Sequence, residues 1–296
     1  MNRYKWLIGL VLLLTAATAQ AAVNVVATTP AMGMLAETVG GDAVSVRVLA
    51  PADRDAHYLQ ARPSMMAALR GADLVVAVGA ELEVGWLPAA IRGANNPGIF
   101  PGRLGYFEAA AQVDLIGVGG PADRALGDVH PAGNPHVNMD PVRMAQVAHA
   151  LADRLTRFDS ANAEQFRANA EAFERRVEER LPTWREWVAD AAGVVFFHED
   201  ADYLAKRLGV PVLGYVEPLP GIPPTARHLR DLVRDLEGHD GVVIRAIFHQ
   251  ERGPRFVAEQ LDWPVYALPL DPEVGATADD YLALMDRWVE AMARKR

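Results

Sequence analysis

The sequence of 296 residues contains no cysteine. This absence excludes disulfide bonds, thiolate metal sites and a lipid anchor attached through an N-terminal cysteine. The net charge is −9, so the chain has no overall basic excess, and we do not expect nucleic acid as a partner. The hydrolase signatures HExxH and GxSxG do not occur in the sequence either.

The N-terminal apolar run, Trp6–Leu14, is too short to span a membrane, which takes about 20 residues. Arg3 and Lys5 precede this run, and the small residues of the segment Ala19–Ala21 follow it. A basic start, an apolar middle and an A-x-A end are typical of a secretory signal. We therefore predict that residues 1–21 are a cleaved signal peptide and that the mature protein lies in a periplasm.

Short β-branched segments alternate with helical patterns over residues 22–159, which predicts an α/β lobe with a mainly parallel sheet. We predict four strands here: Val23–Pro30, Val44–Pro51, Asp73–Gly79 and Val113–Gly119. Ser64 and Asp140 are suited to capping two of the helices. Because Pro141 follows Asp140, this second helix also has proline in its first turn.

A long helical pattern follows, in residues 160–192. Apolar side chains recur there at intervals of three and four residues, which predicts one buried helical face and a bend at Pro182. The alternation of strands and helices then resumes in residues 193–296 and predicts a second α/β lobe. Two α/β lobes joined by a long helix leave a cleft between them, and ligands of such sheets bind beyond the carboxyl ends of the strands.

Three histidines and one aspartate follow predicted strands and therefore face this cleft: His57, His136, His198 and Asp271. Imidazole nitrogens with one carboxylate oxygen form a suitable tetrahedral set for Zn²⁺. Their wide spacing makes no local motif, so the pattern by itself leaves both a metal site and ordinary loop residues open. His149, His228 and His239 lie in or beside amphipathic helices, where we predict solvated or packed side chains.

Five segments in order resemble the zinc/manganese solute-binding proteins of bacterial ABC importers (cluster A-I), over nearly the whole mature chain. They are DAHYLQARPSMMAALRGADLVVAVGAELEVGW, NPHVNMDP, FFHEDADYLAKRLG, EPLPGIPPTARHL and LDPEVGATADDYLALM. The resemblance implies a two-lobed α/β fold and a metal ion bound by His57, His136, His198 and Asp271. It implies transport and no enzymatic activity, with a permease of the inner membrane as the partner.

Three histidines favour zinc, since manganese-binding relatives commonly have two histidines and two carboxylates. We predict a monomeric protein that captures Zn²⁺ as its transported substrate; a periplasmic metallochaperone is an optional second partner. A manganese- or iron-binding relative is the alternative, followed by a zinc hydrolase or a carrier of small organic ligands. His130 and Glu273 are possible accessory ligands. The glycine-rich loop 119–135 is expected to become ordered when His136 binds metal.

Overall fold

The structure is a computed structural model that describes residues 21–119, 130–219 and 221–294. The predicted signal peptide lies outside these residues except for Ala21, and so does most of the loop 119–135. In the part of the chain that is described, no helix is both long and apolar enough to cross a membrane.

The N-terminal lobe contains a four-stranded sheet with the order β2-β1-β3-β4, in which all neighbouring strands are parallel. Its elements are β1 (Val23–Ala27), α1 (Pro30–Gly40), β2 (Val44–Val48), α2 (Pro63–Arg70), β3 (Leu74–Ala77), α3 (Leu87–Ala94), β4 (Tyr106–Glu108) and α4 (Pro141–Thr156). Parallel strands need a crossover after each strand, and helices or long loops supply these crossovers. The carboxyl ends of the four strands therefore lie at the same edge of the sheet.

The C-terminal lobe repeats this arrangement, with the order β6-β5-β7-β8 and only parallel pairs between strands. Its elements are β5 (Val194–Phe196), α6 (Asp202–Leu208), β6 (Val212–Tyr215), α7 (Ala226–Leu236), β7 (Val242–Ala246), α8 (Arg252–Leu261), β8 (Val265–Leu268) and α9 (Ala278–Ala293). The prediction of two mainly parallel α/β lobes is thereby confirmed.

The connecting helix α5 (Ala163–Trp187) is continuous through Pro182 and follows a short 3-10 turn, Ser160–Asn162. Asp159 caps this turn, since its Oδ1 accepts hydrogen bonds from the backbone amides of Ala161 and Asn162. The predicted apolar face is buried, including Phe166, Phe173 and Trp184. Trp184 Nε1 also donates a 2.7 Å hydrogen bond to Asp286 in α9, so the helix is joined to the C-terminal lobe as well as to α4.

Two local predictions were wrong. Residues 113–119 form no strand; the fourth strand is β4, which pairs with β3. Gly117 and Gly119 have φ values of 69° and 85°, which interrupt an extended conformation. Helix α2 begins at Pro63, one residue before Ser64, because proline is well suited to the first helical position.

Candidate metal site

His57, His136 and His198 converge between the two lobes. One nitrogen from each ring can be chosen so that all three lie within 4.8 Å of one another. The ring centroids form a triangle with sides of 5.3, 5.4 and 5.9 Å. The side chains are largely shielded from water, since His136 and His198 are buried and the His57 side chain is 9% exposed. Three imidazoles at this separation could bind one divalent metal ion.

His57 is held by the 3-10 turn Ala56–Tyr58 that follows β2. Asp55 Oδ1 accepts two hydrogen bonds from His57, one from the backbone N–H at 2.9 Å and one from Nδ1 at 2.6 Å. On the other side of the turn, Trp86 Nε1 donates a 2.8 Å hydrogen bond to the carbonyl of Ala56. Because Nδ1 donates to Asp55, Nε2 keeps the lone pair that a metal ion requires.

The segment that carries His136 is attached to the C-terminal lobe on both sides of the histidine. Asn134 Nδ2 donates to the Glu199 carbonyl at 2.8 Å, and Asn138 Nδ2 donates to the Leu270 carbonyl at 3.0 Å. Within the segment, Asn134 Oδ1 accepts the His136 backbone N–H at 2.9 Å. These asparagines therefore position His136 at the contact between the lobes.

Asp140 strengthens the same attachment while it caps α4. Its Oδ1 accepts the backbone N–H of Val142 at 3.0 Å, as the sequence predicted for an N-cap. The fully buried carboxylate also accepts two hydrogen bonds from Arg207 of α6, at 2.8 and 3.1 Å, and pairs with Arg143. One aspartate thus joins the start of α4 to the C-terminal lobe.

His198 lies two residues after the end of β5 and immediately before the 3-10 turn Glu199–Ala201. Its Nδ1 donates to Glu217 Oε2 at 3.1 Å, and this oxygen also accepts the Gly221 backbone N–H at 3.3 Å. Glu217 follows the neighbouring strand β6, so the parallel sheet brings these two residues together. As at His57, Nε2 is left for the metal ion.

The histidines differ in charge state without metal. Burial and the charges of the neighbouring histidines hold the pKa of His136 well below its usual range, so this ring is neutral. At His198, burial favours the neutral form, but the hydrogen bond with Glu217 and the charge of Asp200 outweigh burial and raise the pKa to about 9. Among the described residues, His136 Nε2 is buried without a hydrogen-bond partner. A metal ion would satisfy this nitrogen.

Two carboxylates lie near the three histidines. Asp271 Oδ1 accepts the backbone N–H of Ala31 at 3.0 Å, and burial raises the pKa of this aspartate to about 6. Asp200 is buried, and burial raises its pKa to about 7. Within the part of the chain described, neither carboxylate belongs to the group formed by the three histidines. Asp271 remains the predicted oxygen ligand, and sequence reasoning missed Asp200.

The accessory candidates occupy different environments. His130 Nε2 lies 3.1 Å from His57 Nε2, so this histidine is adjacent to the three-histidine group. Glu273 is exposed. His249, to which the sequence analysis assigned no role, stacks on Phe197 with a centroid distance of 4.2 Å. Its signal in the sequence was its place shortly after β7, one of the strands for which no ligand was considered.

A small cavity and an open cleft adjoin the site. The cavity, of about 20 Å³, lies between His57, His136 and Asp271, and it has room for about one small ion or water. The cleft, of about 280 Å³, is lined by His57, His198 and Glu217. The donor set and the space both fit a metal ion that enters from solvent.

Comparison with known proteins agrees with this geometry. The model of the family "Zinc-uptake complex component A periplasmic" matches residues 25–295. The high-affinity zinc uptake system protein ZnuA of Yersinia pestis is 26% identical over 275 residues, which cover 83% of each chain. This relative supports the family assignment.

Solved structures show the same fold. A crystal structure of ZnuA aligns with a TM-score of 0.73 and 20% identity, covering 92% of this chain and 99% of that one. The Pseudomonas aeruginosa substrate-binding protein FpvC, in complex with Mn²⁺, aligns with a TM-score of 0.77 and 21% identity, covering 92% and 97%. The chain therefore belongs to the periplasmic zinc-uptake complex component A family, as a metal-binding substrate-binding protein of an ABC importer.

Proposed function

We propose that this protein captures Zn²⁺ outside the inner membrane and delivers it to the permease of an ABC importer. The observation that carries the proposal is the convergence of His57, His136 and His198. Nitrogen donors suit Zn²⁺, whereas Mn²⁺ favours oxygen. The proposed ligand set is these three histidines with Asp271 as the oxygen donor, and it needs no local motif because the ligands meet only in the folded chain.

The metal would bind as transported substrate, and the closed interior of the site supports capture. Four protein ligands would leave no open position for a catalytic water, which separates this proposal from a zinc hydrolase. The predicted signal peptide supports export to a periplasm, where a monomer would meet the permease. A metallochaperone that supplies the metal is compatible with the open cleft beside His57 and His198.

Manganese or iron is the second candidate substrate. The observation that favours it is the presence of two buried or partly buried carboxylates, Asp200 and Asp271, next to the histidines. Oxygen donors raise the affinity of a site for Mn²⁺ relative to an all-nitrogen set. Because a site of nitrogen and oxygen ligands generally binds Zn²⁺ more tightly than Mn²⁺, growth of a deletion strain in medium depleted of one metal at a time decides between the two substrates.

The test is metal binding by the mature chain and two histidine variants, measured by competition with a chromophoric chelator. H136A should lose most of its zinc affinity, since it removes His136 Nε2, a buried nitrogen of the proposed ligand set. H149A is the matched control, because His149 pairs with Glu174 on the outer surface of α4 at 2.8 Å. Wild-type affinity in H136A, or tighter binding of Mn²⁺ than of Zn²⁺ to the wild type, would overturn the proposal.

Transport is tested separately in the source organism. Deletion of the gene should slow growth in medium depleted of zinc by a chelator, and added zinc should restore growth. A deletion strain that carries the H149A gene should grow like the wild type, whereas the H136A gene should not complement. Equal complementation by both genes would show that transport does not depend on metal binding at this site.

A further inference from the structure

Asp200 occupies an unusual place between two histidines. It lies two residues after His198, in the 3-10 turn Glu199–Ala201 that follows β5, and is only 3% exposed. Its Oδ1 is 3.9 Å from His136 Nε2, and its Oδ2 is 3.5 Å from His249 Nδ1. The two oxygens of one buried carboxylate therefore face two different imidazoles.

Neither imidazole nitrogen that faces Asp200 donates a hydrogen bond to its carboxylate. His249 Nδ1 accepts the backbone N–H of Ala246 at 3.3 Å, so this nitrogen presents no proton to Asp200. His136 Nε2 has no hydrogen-bond partner among the described residues, although it is buried. Buried lone pairs that face one another without a donor are unfavourable, and a divalent cation removes this cost by accepting them as ligands.

The separation is close to that of two ligands on one ion. Zinc binds nitrogen and carboxylate oxygen at 2.0–2.2 Å in a tetrahedral array, which places neighbouring ligand atoms about 3.3 Å apart. The distance of 3.9 Å between Asp200 Oδ1 and His136 Nε2 exceeds that value by only about 0.6 Å. Asp200 lies outside the group of ligand atoms that are all within 4.8 Å of one another, so its side chain would have to move toward His57 and His198 for its oxygen to reach the metal.

We propose that Asp200 is a direct oxygen ligand of the metal ion held by His57, His136 and His198. This inference rests on the proposed function and deepens it, since it assigns the ligand that sets the balance between zinc and manganese. Asp271 differs from Asp200 because its Oδ1 already accepts a hydrogen bond from the backbone N–H of Ala31. With Asp200 as a second oxygen ligand beside Asp271, the metal ion would have five protein ligands, and the added oxygen favours Mn²⁺ more than it favours Zn²⁺.

The test compares D200N with D202N in the mature protein. Asp202 is the matched control, because it lies two residues further along the chain, at the start of α6, and its Oδ2 accepts the Tyr215 hydroxyl at 2.7 Å. Zn²⁺ and Mn²⁺ affinities are measured by chelator competition, and Co²⁺ is used as a spectroscopic probe. The metal-free melting temperature of each variant reports on folding.

D200N should lower zinc affinity at least about tenfold, as loss of a ligand should cost no less than loss of a residue that supports one. It should lower Mn²⁺ affinity by a larger factor and shift the visible absorption of bound Co²⁺. D202N should change none of these values. A residue that only stabilises the fold would lower both affinities equally and leave the Co²⁺ spectrum unchanged.

Wild-type affinities and an unchanged Co²⁺ spectrum in D200N, with zinc binding lost in H136A, would overturn the role of Asp200 and leave the proposed function standing. Retention of zinc by H136A would instead refute the proposed function. If D200N does not fold, D200S is measured in the same way, since serine is smaller and uncharged. A Co²⁺ spectrum in D200S identical to that of the wild type would equally overturn the inference.

Discussion

The Nδ1 atom of His57 donates a 2.6 Å hydrogen bond to Oδ1 of Asp55, two residues earlier in the same turn. This contact places Nδ1 on a carboxylate and directs Nε2 toward the other histidines, and the pair formed by His198 and Glu217 holds Nδ1 of His198 in the same way. Each lobe thus contributes a histidine that is oriented by a carboxylate of its own.

We predict that D55A and E217A each lower zinc affinity by about 10–100-fold, because outer carboxylates fix ring orientation and raise ligand basicity. The control is D53A, since Asp53 is exposed two residues before Asp55. Long-range ¹⁵N–¹H NMR spectra of the metal-free variants should show loss of the Nδ1–H tautomer at His57 in D55A and a lower pKa of His198 in E217A. An unchanged His57 tautomer in D55A or an unchanged His198 pKa in E217A, together with unchanged affinity, would contradict this role.

D271A should weaken zinc binding, but less than H136A does. The reason is that the Asp271 carboxylate shares its Oδ1 with the Ala31 N–H, whereas His136 Nε2 has no competing hydrogen bond in the described chain. D271N should lie between D271A and the wild type, as its amide oxygen can still accept from Ala31. Chelator competition gives the three affinities, and a larger loss in D271A than in H136A would reverse this order.

Zinc affinity should rise with pH from about pH 6 to about pH 9. The metal-free protein holds a proton on His198, whose pKa lies at about 9, and zinc must displace this proton. Below that pKa, the apparent affinity should fall by up to about tenfold per pH unit, since one proton competes with each ion. It should fall more steeply below about pH 6, where Asp271, with a pKa of about 6, becomes protonated.

Calorimetric titrations in buffers of different ionisation enthalpy measure the protons released for each zinc ion bound. Release close to one proton at about pH 7.5 agrees with a charged His198. In E217Q the release should fall, because the hydrogen bond with Glu217 is among the causes that raise the pKa of His198. Affinity that is the same at about pH 6 and about pH 8 would be incompatible with this account.

R207A should destabilise the protein by about 1–3 kcal/mol, because the buried Asp140 would lose two charge-assisted hydrogen bonds. The remaining pair with Arg143 limits the loss. R175A serves as control, since the Arg175 side chain is 62% exposed and a change there should stay within about 0.5 kcal/mol. Denaturant unfolding of the metal-free protein measures both values; equal stability of R207A and R175A would show that the contact between α4 and α6 contributes little.

The sequence predicted helix starts and ends correctly where a single residue has a well-defined role, such as a capping side chain or a glycine in a left-handed conformation. Asp140 caps α4, Thr225 caps α7, and Gly209 ends α6 in a left-handed conformation with a φ of 75°. The buried face of the long helix also followed from its periodic apolar positions, because such a face has to pack against other elements. In these places the nearest few residues carry the necessary information.

Local sequence failed where distant partners decide the conformation. Residues 106–108 have no strong strand pattern, yet they pair with β3 as an edge strand. Residues 113–119 have the composition of a strand, but no neighbouring strand pairs with them in the described structure. Short strands are stabilised mainly by the partners beside them, and these partners cannot be identified from a window of a few residues.

The sequence alone determined which residue types could hold the metal. It placed His57 and His198 beyond strands that the structure contains and His136 beyond a predicted strand, residues 113–119, that the structure does not form; by resemblance, it placed all three in one site. Only the tertiary structure decided their partners: Asp55 and Glu217 orient two of the rings, and Asp200 faces the third. The physical reason is that ligand geometry depends on distances of a few ångströms between chain segments separated by many residues, and only folding sets those distances.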